Sequence, residues 1–170
     1  PPVWKQAIQP GIVLSWDDLP ADVHGHAGAR RLRLSRGLLD DWMARPADAA
    51  PDDPPTRAAQ AALIHELAHF FDRSRQGQLS KDARLLDLAG WQVAPLKAGM
   101  RNSHNHFSDR SPDAYELAAP DEFVAVNLEY FLLDPDFACR RPALYRYFSE
   151  HFDWMPPSNA CQKELPYLQA

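Results

Sequence analysis

The sequence predicts a small α+β domain: a short sheet packed on one long, largely buried helix, with a second strong helix to accompany it. Three observations carry that reading. Short apolar or alternating runs bounded by turn residues lie in the first forty residues or so, as strands do. From Arg57 to about Arg73 there is no Gly or Pro, and Ala61, Ile64, Leu67, Ala68 and Phe71 recur at helical spacing. A second helix opens on Pro120-Asp121-Glu122 and is stopped by Asp134-Pro135. Pro120 suits a first helical turn, and the acids after it suit the positive end of the helix dipole.

In chain order, Ile12–Trp16 is an apolar run between Pro10-Gly11 and Asp17-Asp18 and reads as a strand. Leu32-Arg33-Leu34 alternates and reads as a half-exposed strand, with Arg30, Arg31 and Arg33 on its solvent face. Ser35 is placed to cap a short helix whose inner face would be Leu38, Leu39, Trp42 and Met43. Residues 46–55 hold Pro46, Pro51, Pro54 and Pro55 and read as a polar loop, after which Thr56 starts the long helix. A short helix is expected around Lys81–Leu88, an irregular stretch over Trp91–Ser111, the second strong helix to about Leu133, and a last helix over Pro142–Phe152. There is no internal repeat.

At 170 residues the chain is one domain, 1–170, long enough to bury a core. It is 45% hydrophobic and 24% charged, a globular balance. Nothing approaches the ~20 apolar residues of a membrane span. A net charge of −5 argues against nucleic acid as a partner, since phosphate binding needs a basic surface. The opening Pro1-Pro2 reads as a processed or excised start, leaving room for an export signal or neighbouring domain before it. Cys139 and Cys161 are expected to form a bridge pinning the Pro-rich tail, which implies a periplasmic or extracellular protein. The expected oligomeric state is a monomer.

The chemistry lies in His65-Glu66-Leu67-Ala68-His69. Two histidines four apart project from one helix face, one turn apart, and can hold one zinc ion at ~2.0–2.1 Å each. Glu66 follows the first ligand and can take a proton from a zinc-activated water and pass it to a leaving amine. The alternative, two ordinary surface histidines, leaves the apolar setting of Leu67, Ala68, Phe70 and Phe71 unexplained. A catalytic zinc needs a third protein ligand. Asp72 stands where an extended motif would have its glycine, and Arg75 where it would have a third histidine. A downstream carboxylate is therefore expected, from Asp121, Glu122 or Glu129. Glu122 and Glu129 are seven apart, about two turns, so one can bind the metal while the other accepts the free N–H of a ligand histidine.

The run Glu122-Phe123-Val124-Ala125-Val126-Asn127-Leu128-Glu129-Tyr130-Phe131 resembles the Glu-bearing helix of MtfA-type peptidases. It is similar also to the corresponding helix of anthrax lethal factor-like and Pro-Pro endopeptidases, all gluzincins. The resemblance covers two helices and one tyrosine, about a quarter of the chain. It implies a small zincin-like (mini-gluzincin) domain with Glu122 as zinc ligand and Glu129 behind the ligands. The second acid follows the MtfA-like spacing, because Val126 stands where the lethal factor-like group has its acid. It also implies that Tyr115, seven residues before Glu122, supports the tetrahedral intermediate; read alone, Tyr115 is a loop aromatic packed on the core.

The implied activity is zinc metallopeptidase, with a peptide or protein substrate first and a cell-wall stem peptide second. The competing class is a binding module that retains a zinc site. The strand Leu32–Leu34 would be the edge that takes an extended peptide by strand addition. Asn102–His106 contains a His-Asn-His triplet, which an acidic chain makes a poor nuclease motif and a better polar loop over the cleft. His24 and His26 read as exposed turn residues, and His151 as packing at a helix end beside the core stripe Tyr145, Phe148, Phe152.

Overall fold

A computed structural model describes residues 11–50, 52–74, 78–89, 91–92, 100–101 and 113–160. Among them are a three-stranded sheet, a two-stranded one and six α-helices, a mixed α+β architecture. The larger sheet joins β1 (Val13–Asp17), β2 (Gly25–Ala27) and β3 (Arg31–Ser35) in the order β1-β3-β2. β1 runs parallel to β3 and β2 antiparallel to it, so the sheet is mixed. β3 shows the alternation expected of it: Leu32 and Leu34 are buried, and the arginines between and before them face outward.

The structure corrects the edge-strand expectation. β3 is the central strand, paired on both sides, and the strand at the edge beside the long helix is β2. Gly25-His26-Ala27 is too short for periodicity to reveal, and its glycine and histidine read as a turn.

α1 (Arg36–Met43) forms where expected, but Ser35 makes no side-chain cap and no residue of the helix is buried. Leu38 and Leu39 are half-covered, whereas Trp42 and Met43 are exposed, and the Arg45 guanidinium lies over the Trp42 ring at 5.0 Å. α2 (Pro54–Asp72) starts two residues before Thr56. Pro54 and Pro55 belong to its first turn, where missing N–H groups cost nothing, and the Asp53 carboxylate accepts from Thr56 N–H at 2.9 Å.

α3 (Ala83–Ala89) is followed by β4 (Trp91–Gln92), which pairs antiparallel with β5 (Met100–Arg101). Part of the expected irregular stretch is therefore a short antiparallel pair of strands. The Asn102–His106 segment lies outside the described residues, as does Cys161, so the expected cysteine bridge rests partly on an undescribed residue. α4 (Pro120–Leu133) and α6 (Pro142–Phe152) match the predicted bounds, with a single turn, α5 (Phe137–Arg140), between them.

α4 is apolar nearly all round because it is buried on several sides. It packs along α2 and also touches α5 and α6. Phe131 is the hub, its ring 5.4 Å from Phe148, 5.5 Å from Tyr145 and 6.2 Å from Phe137. His151, in the last turn of α6, stacks on Tyr147 at 6.0 Å but stays exposed. None of the described helices is long and apolar enough to cross a membrane.

This packing predicts a sharp contrast in stability. Phe131→Ala should cost about 3–5 kcal/mol, because the neighbouring rings cannot collapse into the space. Met43→Ala, at a position 69% exposed, should change stability by less than about 0.5 kcal/mol. Urea unfolding of the two variants checks both, and a large loss at Met43 would contradict the observed face of α1.

Candidate metal centre

Two helices build the site. α2 carries His65 and His69 on the face turned to α4, and α4 presents Glu122 from its first turn. Glu122 Oε2 lies 3.1 Å from His65 Nε2 and 3.2 Å from His69 Nε2. Two ligand atoms each ~2.1 Å from a tetrahedral ion lie about 3.4 Å apart, so both separations are close to what one zinc requires, and all three ligand atoms lie within 4.8 Å of one another. The donor set, two imidazoles and a carboxylate, suits zinc chemically as well. His65, His69 and Glu122 are the cluster among the described residues able to hold a metal ion. Asp121, the neighbouring acid considered from the sequence, is not part of it.

Glu129, two turns along α4, lies behind the first histidine: its Oε2 is 3.6 Å from His65 Nδ1, an ionic contact rather than a hydrogen bond. His69 Nδ1 is buried and has no hydrogen-bond partner among the described residues. Burial opposes a charge on His65, but Glu122 and Glu129 outweigh it and push its pKa up to about 9. Burial likewise opposes ionisation of Glu122, but the two histidines hold its carboxyl well below the usual range.

Glu66 is 7% exposed, and burial raises its pKa against the pull of His65 and His69. What covers it is β2. A Cβ on Gly25 would lie 2.5 Å from Glu66 Cγ and 2.7 Å from its Oε1, so only glycine lets the strand approach this closely. Arg73, just past the end of α2, donates to the Ala27 carbonyl at 2.6 Å and ties down the other end of the strand. Within the sheet, Ser35 N–H donates to His24 C=O and Gly28 N–H to Arg31 C=O, both at 2.8 Å. By alternation the backbone groups of Gly25 face the open edge.

Tyr115 sits on a 3-10 turn (Ala114–Leu117) whose first N–H groups are organised by Asp113, which accepts from Tyr115 N–H at 2.8 Å. The ring is half exposed, 6.1 Å from the His65 ring. Partial burial and the neighbouring Glu122 carboxylate raise its pKa. A cleft beside the site is lined by Val23, His24 and Gly25, by Tyr115, and by Leu38, Ala61 and Ala62.

The structure thus brings together all six residues singled out from the sequence: His65, Glu66, His69, Tyr115, Glu122 and Glu129. Sequence reasoning missed Gly25, whose signal was a lone glycine between two histidines, and Glu116, Asn127 and Arg141 behind Tyr115. Asn127 did leave a trace, as one amide inside an otherwise apolar helix, where a buried polar group must find partners.

Comparison with known proteins gives a family but no activity. The sequence matches the family model described as "Domain of unknown function (DUF7844)" over residues 1–78 and 73–161, and the chain belongs to that family. No curated protein and no solved structure matches it.

Two outcomes test the geometry without any assumed reaction. In metal-free protein, a His65 pKa raised from 6.5 to about 9 contributes stability that is fully present below 6.5 and lost as pH rises through about 9. Denaturation in the presence of a chelator should show that decline, and His65→Gln should flatten it. Gly25→Ala should displace either β2, visible as lost hydrogen-exchange protection there, or the Glu66 side chain, visible in a crystal structure of the variant; a variant in which neither has moved would contradict the close approach.

Proposed function

We propose that this member of the DUF7844 family is a zinc-dependent metallopeptidase of gluzincin type, with a zincin-like fold. The single observation that carries the reading is the convergence of His65 Nε2, His69 Nε2 and Glu122 Oε2 beside a buried Glu66. Those three side chains would hold zinc. When bound, the ion would supply Lewis-acid polarisation of a water and of a scissile carbonyl.

The chain's own residues do the rest. Glu66 accepts the proton of the attacking water at its carboxylate and delivers it to the departing amine. Its raised pKa brings donor and acceptor strengths closer to neutral pH, as a group serving in both directions needs. Tyr115, which lines the same cleft as Gly25 of β2, offers its phenol O–H to the developing oxyanion; one such donor contributes about 10²–10³-fold in kcat. Glu129 steadies His65 from its Nδ1 side.

The substrate class follows from the open edge of β2. Extended backbone can pair with the outward groups of Gly25, which places a peptide carbonyl alongside Glu66. Ala61 and Ala62, small residues in the lining, leave room for a side chain from that peptide.

The decisive experiment is Glu66→Gln in zinc-loaded protein, assayed on a diverse peptide library. Hydrolysis should fall by about 10²–10⁴-fold while zinc content stays at one per chain. A binding module would show retained zinc and no hydrolysis in either form. A protein that takes up no zinc when Glu66, His65 and His69 are all intact would overturn the reading outright.

A further inference from the structure

The 3-10 turn that presents Tyr115 to the cleft buries its next side chain in the opposite direction. Glu116 is 2% exposed and receives Arg141 through both oxygens: Nη1 to Oε2 at 2.7 Å and Nη2 to Oε1 at 2.8 Å. Arg141, 6% exposed, stands at the start of α6. The same Nη1 donates to Asn127 Oδ1 at 2.6 Å. Asn127, fully buried on α4, donates in turn to Glu116 Oε2 and to the Phe123 carbonyl, each at 2.8 Å. The amide oxygen and both amide hydrogens are therefore used.

We propose that Glu116, Arg141 and Asn127 are positioning residues that fix Tyr115 over the metal site. The inference rests on the metallopeptidase reading. Stability alone accounts poorly for this arrangement, since a buried ion pair rarely stabilises more than the apolar side chains that could replace it. Placement accounts for it well. Tyr115 is half exposed, and its backbone N–H is held by the exposed Asp113. The turn gains a rigid footing through Glu116, one residue away. That footing is tied to the helix that carries Glu122, five residues before Asn127, so tyrosine and carboxylate share one frame. A donor displaced by about 1 Å loses of the order of 10²-fold in rate, which is what such a frame prevents.

The test uses the whole zinc-loaded chain carrying fluorotyrosine. Of the five tyrosines, Tyr115 is identified by the fluorine resonance lost in Tyr115→Phe. The double variant Glu116→Leu/Arg141→Met removes both charges together and so avoids a lone buried ion. Arg141→Lys, which keeps the charge but not the two-pronged contact, is the second variant should the first fail to fold. In either, the Tyr115 resonance should shift or broaden, zinc content should hold, and kcat should fall about tenfold with KM within about twofold. Adding Tyr115→Phe should then cost little more, because both changes remove one effect. An unmoved Tyr115 resonance in a folded variant overturns the proposal, and so do losses in kcat that simply multiply. If the wild-type protein hydrolyses no peptide, the metallopeptidase reading fails, and the resonance still decides whether the buried pair places Tyr115.

Discussion

The organising constraint is the meeting of two imidazole nitrogens on one carboxylate oxygen, 3.1 and 3.2 Å from it, at the crossing of α2 and α4. Holding such groups together means gathering like-charged carboxylates: Glu66 and Glu122 lie by both histidines, and Glu129 by His65. The site therefore needs positive charge. His65 meets the need by keeping its proton up to a pKa of about 9. In the proposed reading a divalent cation meets it instead, and must displace that proton to bind, so metal affinity and pH are coupled.

The rest of the fold serves that crossing. α4 is apolar around almost its whole circumference and α2 is anchored at its start by Asp53 and at its end by the Arg73 contact to β2, so neither helix is free to slide. The aromatic cluster around Phe131 fixes α6 against α4 from the far side. Close-packed rings transmit position well because they have few ways to yield. Ligands on two rigid helices can then be held to tolerances that loops do not give.

What the sequence revealed and what it hid divide along the same physical line. α2, α4 and α6 were legible because each runs ten residues or more with a clear start and stop signal, and the bounds of α4 and α6 were readable to the residue. The motif histidines and the acids on α4 were legible because helical spacing alone puts them on shared faces. β2 was not, because three residues carry no period and its identity as the edge depends on which strand β3 accepts on its other side. The inner face of α1 was misread for a related reason. Its four apolar residues suit a buried stripe, but α2 and the sheet together half-cover only Leu38 and Leu39. The Glu116–Arg141–Asn127 cluster joins residues far apart in the chain, and no local pattern announces such a contact.

The site's division of labour follows from these differences. Metal-ligating groups sit on long helices, where spacing in sequence becomes spacing in space almost without adjustment. The groups that would meet a substrate sit on short pieces, Gly25 on a three-residue strand and Tyr115 on a single 3-10 turn. Short pieces have little intrinsic stability, so each is tethered to the helices. β2 is held by the contact that only a glycine permits against Glu66 and by Arg73 on Ala27. The Tyr115 turn is held by a buried ion pair with its amide partner. Both tethers lead back to α2 or α4, the two helices whose crossing brings His65, His69 and Glu122 together. A substrate seated between β2 and Tyr115 would thus be located relative to those three side chains by contacts that none of them has to make.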